Sequence, residues 1–204
     1  MAISNSRASL LPRRLVRALK AIALKVRGAI AERELAHRQL TVRELAESEH
    51  ERVRAGFQGS NSPSQADIAR QSTGETGIVV AWMDSEPLGL GFVHWPGPRN
   101  ALLAERWPGT PEIYRLHVLP RYRSLGVGGL LIRHIEQLAA AKGVARVGLG
   151  VHSHNERAHA LYVRLGYAAD AVQYLDEFEE LSIDGSPRLV SEAAIFLVKS
   201  VGKQ

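Results

Sequence analysis

Apolar and polar residues change their period several times along this chain, and each change marks an element. QLTVREL, residues 39–45, alternates as a strand does, and AESEHERVRAGFQ follows as a helix with Glu47 and Glu49 near its start. NSPSQ is a turn-rich break. Two apolar runs in TGIVVAWMDSEPLGLGFVHW flank Asp84, Ser85, Glu86 and Pro87, the pattern of a hairpin. The loops PGPRN and WPGTP bracket a short helix over Ala101 to Arg106.

The strand EIYRLHV is closed by Pro120, and an apolar helix then runs to its stop at Gly143. ARVGLGV is a further strand. NERAHALYVRLG is a helix that Asn155 can cap and Gly166 can end. AVQYLDEFEEL and EAAIFLVKS complete the series as two strands. A hairpin followed by strand, helix, strand, helix and two strands implies an α/β fold, a mixed sheet with helices on its faces.

Ahead of this body, Leu11, Leu15, Leu19, Ile22, Val26 and Ile30 recur at steps of three or four, with Arg13, Arg14, Arg17, Lys20 and Lys25 mostly opposite. Pro12 suits a first helical turn, and Leu24 is the one large apolar residue on the charged side. The expected organisation is a basic amphipathic extension over residues 1–39 and one domain over residues 40–204. The extension reads as a membrane-surface anchor, an import presequence, or a helix that packs on the domain, a partner or a second copy in a homodimer.

Composition changes the picture in two ways. The formal charge is +5, but residues 1–40 hold nine Lys/Arg against two Glu, and the remainder holds 17 basic and 19 acidic residues. The basicity belongs to the extension, so no DNA partner is expected for the domain. The chain has no cysteine, which excludes disulfides, thiolate metal sites and a thiol acyl-enzyme; no metal is expected. No apolar run reaches the roughly 20 residues of a membrane-spanning helix, and a cytoplasmic setting is the default expectation.

The candidate chemistry starts at RSLGVGGLLIRHIEQLAAAKG, residues 123–143. A glycine-rich entrance to a helix exposes unpaired N–H groups and the positive end of the helix dipole, which suits a phosphate. No Walker-type Gly-Lys-Ser/Thr follows, and the loop lies too deep in the chain for the usual dinucleotide fold.

LHVLPRYRSLGVGGLLI resembles the acyl-coenzyme A signature of the Gcn5-related N-acetyltransferase (GNAT) superfamily, Gln/Arg-x-x-Gly-x-Gly/Ala, through Arg123, Gly126 and Gly128. VHSHNERAHALYVRLGY is similar to the second signature, with Asn155, Ala158, Tyr162 and a closing Gly-Tyr. The resemblance implies a mostly antiparallel sheet with two splayed parallel strands, EIYRLHV and ARVGLGV, and acetyl-coenzyme A as cosubstrate. It implies that Ser124, Leu125, Gly126, Val127, Gly128 and Gly129 offer backbone N–H groups to the pyrophosphate, with the Arg123 charge beside them. The pantetheine arm would lie along Leu116, His117 and Val118 and meet Asn155, which is also placed as a plain helix cap. Gly148 and Gly150 fall on one face of the second strand and permit close approach of another group.

Acetyl transfer to an amine requires a neutral amine, a stabilised oxyanion and a protonated leaving thiolate. The resemblance assigns the leaving-group proton to Tyr162, a residue that would also serve as a core aromatic, and the oxyanion to backbone N–H near Val118. For the base, Glu112 stands six residues before Val118. Even spacing keeps one strand face unless a bulge intervenes, so His117, Tyr114 and water are rivals. Asp170, Asp176, Glu177, Glu179, Glu180, Asp184 and Glu192 face Arg188 alone in the last two strands and their connection, which points to a small cationic amine or to a solvated acidic loop. Trp82, Trp95 and Trp107 are expected in the pocket or in the core. The other readings are a protein N-terminus, a lysine or an aminoacyl-tRNA as acceptor, and a non-catalytic acyl-coenzyme A sensor.

Overall fold

The computed structural model describes residues 40–181 and 186–202; the basic extension and the helix expected in it lie outside the described residues. In chain order the elements are β1 (Leu40–Glu44), a 3-10 turn (Glu47–Glu49), α1 (His50–Gly56), α2 (Gln65–Ser72), β2 (Thr76–Met83), β3 (Glu86–His94), α3 (Ala101–Arg106) and β4 (Glu112–Val118). They continue with α4 (Val127–Ala141), β5 (Arg146–His152), α5 (Glu156–Arg164), β6 (Ala168–Leu181) and β7 (Pro187–Ser200). The seven strands form one sheet in the order β1-β2-β3-β4-β5-β7-β6. Every neighbouring pair is antiparallel except β4 and β5.

Strand β2 shows why the sheet is covered on both faces. All eight of its residues are buried, so its sequence is a continuous apolar run rather than an alternation. Ile78, Val80 and Trp82 pack with Val53 of α1 and Phe57. Val79, Ala81 and Met83 pack in the main core with Leu131, Ile132 and Ile135 of α4. Each fully buried side chain of this size contributes about 1.5–3 kcal/mol. A third cluster joins Leu103 of α3 to Tyr174 and Phe196 of the last hairpin. The tryptophans belong to the packing: Trp82 is wholly buried, and Trp95 and Trp107 lie partly buried against the main and third clusters.

Two departures from the sequence reading have physical reasons. Helix α2 follows the NSPSQ break, where no helix was expected. Its signal is a reciprocal cap, with Asp67 N–H donating to Ser64 Oγ at 3.1 Å and Ser64 N–H to Asp67 Oδ2 at 2.9 Å. The last two strands are longer than their apolar cores. Expected over residues 171–181 and 192–200, they run over Ala168–Leu181 and Pro187–Ser200, because cross-strand pairing continues through polar residues out to Leu181 opposite Pro187.

Candidate active site

The sheet opens at one place. β4 and β5 pair only through Glu112 with Gly148 and Ile113 with Leu149, after which the two parallel strands separate. On its other edge β4 carries a bulge, with Tyr114 facing Phe92 but His117 facing Leu90, so Arg115 and Leu116 together oppose one residue of β3. Arg115 takes up the irregularity with φ of 48°. The bulge resets strand parity: Glu112 lies on the face of Tyr114 and His117, and Val118 no longer shares it. The sequence spacing that put Glu112 and Val118 on one face therefore fails here.

One cavity of about 620 Å³ is lined by Leu116, His117, Val118, Tyr122, Arg123, Ser124, Gly126, Val127, Gly128, Gly129, Asn155, Arg157, Ala158, Leu161, Tyr162 and Arg164. Ten of the eleven residues expected at the cofactor thus surround it. The exception is Leu125, whose side chain packs against the main core. A second cavity of about 580 Å³ is lined by Asn61, Arg99, Glu112, Ile113, Tyr114, Arg115, Leu116, Gly150, His152, Tyr174, Asp176, Glu177 and Phe178. Leu116, on the bulge, lines both.

The first cavity is built largely from backbone. Gly126 caps α4 with φ of 83°, a conformation that favours glycine, and it carries no side chain to satisfy the helix start. Leu130 is the residue that bonds back to Gly126 O, at 3.1 Å, so the N–H groups of Val127, Gly128 and Gly129 have no carbonyl below them in the helix. A Cβ at Gly128 would point between Leu161 of α5 and Val118 and Leu116 of β4, at 3.7, 3.8 and 3.9 Å, into the groove itself. Arg157 donates to Ser124 Oγ and so ties α5 to the loop.

Val118 is oriented by its neighbour. Leu119 N–H bonds to Leu88 O on β3 at 2.9 Å, so alternation turns the Val118 N–H and C=O toward the opening. Arg123 Nε donates to that Val118 carbonyl at 2.9 Å. Asn155 Oδ1 caps α5 through Ala158 N–H at 3.1 Å, so the plain cap is real, and the residue also lines the cavity. Tyr162 is nine-tenths buried within the main core and lines the cavity as well, so its place in the packing leaves it at the groove. Burial raises its phenol above the usual range, which keeps it protonated.

The second cavity is built from side chains that arrive from five segments. Glu112, the candidate base, is only 5% exposed and so is not a solvated acid at the strand entry. Its Oε2 accepts from Arg99 N–H at 2.9 Å and Arg99 Nε at 3.2 Å. The Arg99 guanidinium lies 4.1 Å over the Tyr114 ring. Arg115 lies 3.8 Å over Phe92 and donates to Asp67 Oδ2 at 2.7 Å, tying the bulge to α2. A Cβ at Gly150 would collide with the Tyr174 hydroxyl, and one at Gly148 with the Phe196 ring. The close approach expected at these two glycines is thus made by aromatic residues of the last hairpin.

His117 stands edge-on to Phe57, with centroids 5.9 Å apart. Burial, with the Arg123 charge beside it, holds its imidazole below the ordinary value and therefore neutral near pH 7. It borders the first cavity, on the opposite side of Leu116 from Glu112. Of the seven acids counted in the last hairpin, Asp176 and Glu177 reach the second cavity, Glu192 contacts His152, and Asp184 lies outside the described residues.

Sequence reasoning missed Arg157 and Arg164 at the first cavity, although both lie on the helix that the second signature marks. It also missed Arg99, Arg115, His152 and Tyr174 at the second, where no local motif announces them.

The profile of the acetyltransferase (GNAT) family matches residues 40–167. Mycothiol acetyltransferase of Beutenbergia cavernae is 40% identical over 96 residues, 45% of this chain and 31% of that protein, so the match spans about a third of the relative's length. Among solved structures, the ribosomal-protein-S18-alanine N-acetyltransferase of Escherichia coli superposes with a TM-score of 0.59 at 18% identity, over 81% of this chain and 96% of the other. A GNAT family acetyltransferase from Elizabethkingia anophelis with acetyl-CoA bound superposes with a TM-score of 0.51 at 16% identity, over 79% and 97%.

Proposed function

The chain belongs to the acetyltransferase (GNAT) family, and from that membership we propose that it transfers an acetyl group from acetyl-coenzyme A to a small cationic primary amine by direct attack in a ternary complex. The observation that carries this reading is the pair of cavities meeting at Leu116, where β4 and β5 part. One cavity presents a bare helix start and three arginines to an anion. The other presents Asp176 and Glu177 beside Glu112, which is paired to Arg99, while Arg115 is paired to Asp67 outside the lining. An amine drawn to the acidic side meets a thioester laid in from the basic side.

The roles divide along the same line. Glu112, held by Arg99 in the acceptor cavity, takes the proton as the amine nitrogen bonds to the acetyl carbon. The Val118 N–H, turned toward the opening, meets the oxygen on which charge builds. Tyr162, protonated and on the cofactor side, gives its proton to sulfur as the C–S bond breaks, and solvent restores it. The products are the N-acetylated amine and free coenzyme A.

The test is a screen of small cationic amines, amino acids and N-terminal peptides, read as release of the coenzyme A thiol. Turnover concentrated on small cations is the expected outcome. Turnover confined to peptides would move the acceptor class to protein N-termini. Tight binding of acetyl-coenzyme A with no turnover on any amine would replace the enzyme reading with a sensor.

A further inference from the structure

We propose that His152, His154 and Glu192 form a binding site for one divalent transition-metal ion of the zinc class, at the rim of the second cavity. Strand pairing assembles the three. His152 ends β5 opposite Ala194 of β7, and Glu192 lies two residues from Ala194 on the same face. Ser153 donates to Ala193 O through both its N–H and its Oγ, each at 2.9 Å, which pins the turn that carries His154. The three potential ligand atoms lie within 4.8 Å of one another.

The imidazole of His152 supplies the decisive count. Its Nε2 is 3.0 Å from Asp176 Oδ2 and its Nδ1 is 3.0 Å from Glu192 Oε2. A neutral imidazole has one N–H and one lone pair. Once Nε2–H donates to Asp176, the Nδ1 lone pair faces a carboxylate oxygen, a repulsive pairing unless a cation lies between them. A second proton would satisfy two atoms. His154 Nδ1, 3.8 Å from the same Glu192 oxygen, adds a third donor that a proton does not use and a metal ion does.

Two imidazole nitrogens and one carboxylate oxygen are a donor set for zinc and its neighbours. The Asp176 carboxylate behind His152 is the partner that metal-bound histidines generally carry, fixing tautomer and ring direction. Stacking on Phe178, with centroids 5.5 Å apart and planes 14° from parallel, holds the same ring. His154 is 73% exposed, which gives an ion its path in. Because His152 and Asp176 also line the second cavity, a bound ion would act on the acceptor side. Glu192 lies 38 residues beyond His154 and only strand pairing brings it to the two histidines, a proximity that the sequence does not show.

Chelator-treated full-length chain titrated calorimetrically with Zn²⁺ tests this, with visible absorption of the Co²⁺ form reporting coordination. One saturable ion per chain is expected, with binding lost in His154→Ala and Glu192→Gln and weakened about 10- to 100-fold in Asp176→Asn. His154 stands on an exposed turn, so His154→Ala keeps the fold and is the decisive variant. No saturable ion in the wild-type chain, or unchanged binding in His154→Ala, would overturn the site and leave only adventitious surface binding. The readout does not involve acetyl transfer, so its failure would leave the proposed reaction untouched.

Discussion

The two cavities share Leu116 and little else in the way they are made. The proposed cofactor side comes from two short stretches of chain, residues 116–129 and 155–164, and its chief instruments are backbone groups at a helix start. The proposed acceptor side draws on Asn61, Arg99, residues 112–116, residues 150–152 and residues 174–178, and its instruments are side chains held by other side chains. A site built from contiguous backbone works the same way for any amine the enzyme serves. A site built from converging side chains can be retuned one residue at a time. The first kind suits the invariant half of a group transfer, and the second suits the half that must choose a substrate.

The proposed proton carriers sharpen this division most. Tyr162→Phe removes only a hydroxyl from the cofactor side, so turnover on the best acceptor should fall about 10²- to 10⁴-fold while acetyl-coenzyme A binds as before. Glu112→Gln should cost turnover in the same range. It should also disturb the acceptor KM, because the same carboxylate positions Arg99. Rapid-quench single turnovers would check that chemistry limits the rate. Wild-type turnover in Tyr162→Phe would return that residue to a packing role alone.

The next effect is on affinity. Gly128→Val directs a branched side chain between Leu116, Val118 and Leu161, where only the first carbon finds room without pushing into the groove. Overpacking of this kind costs about 1–3 kcal/mol, or roughly 5- to 150-fold in coenzyme A affinity. Acceptor selectivity at saturating cofactor should not change. A calorimetric titration with coenzyme A would measure the first and an acceptor panel the second. An altered acceptor preference with intact coenzyme A affinity would mean that the two sides are not separable at Leu116.

What was legible in the sequence follows the same boundary. Gly126, Gly128, Asn155 and Tyr162 lie in short motifs whose geometry is local, and strands such as Glu112–Val118 were bounded correctly by apolar period and a closing proline. Arg99 finds Glu112 from 13 residues away and Arg115 finds Asp67 from 48, and no periodicity carries such pairings. The bulge at Arg115 was invisible for another reason. Nothing in EIYRLHV marks the residue that takes a positive φ, and Gly91 opposite it gives the clue only once register is known, since a Cβ there would crowd Leu116 at 3.0 Å.

The smallest expected effect tests whether the acceptor side depends on its supports. Asp67 is 2% exposed and accepts from Ser64 N–H, Ser64 Oγ, Arg70 and Arg115. Burial pushes its carboxyl up, but the bonds from Ser64 and the Arg115 charge outweigh that and hold it below the ordinary carboxylate range. A carboxyl depressed in the folded state contributes stability that is complete above its unfolded value, about pH 3.9, and is lost as pH falls through the folded value. Asp67→Asn should therefore lower stability near pH 7 by about 1.5 kcal/mol, the low end for a hydrogen bond to a charged group, because the Arg115 side chain keeps 29% of its exposure. Denaturant unfolding of the two proteins should show that gap at pH 7 and a narrowing gap below about pH 4. Acceptor KM should rise with it, since Arg115 and the bulge lose their anchor, while coenzyme A affinity stays put. A gap independent of pH would remove the Asp67 charge from the account and leave uncharged hydrogen bonding as what Asp67 contributes.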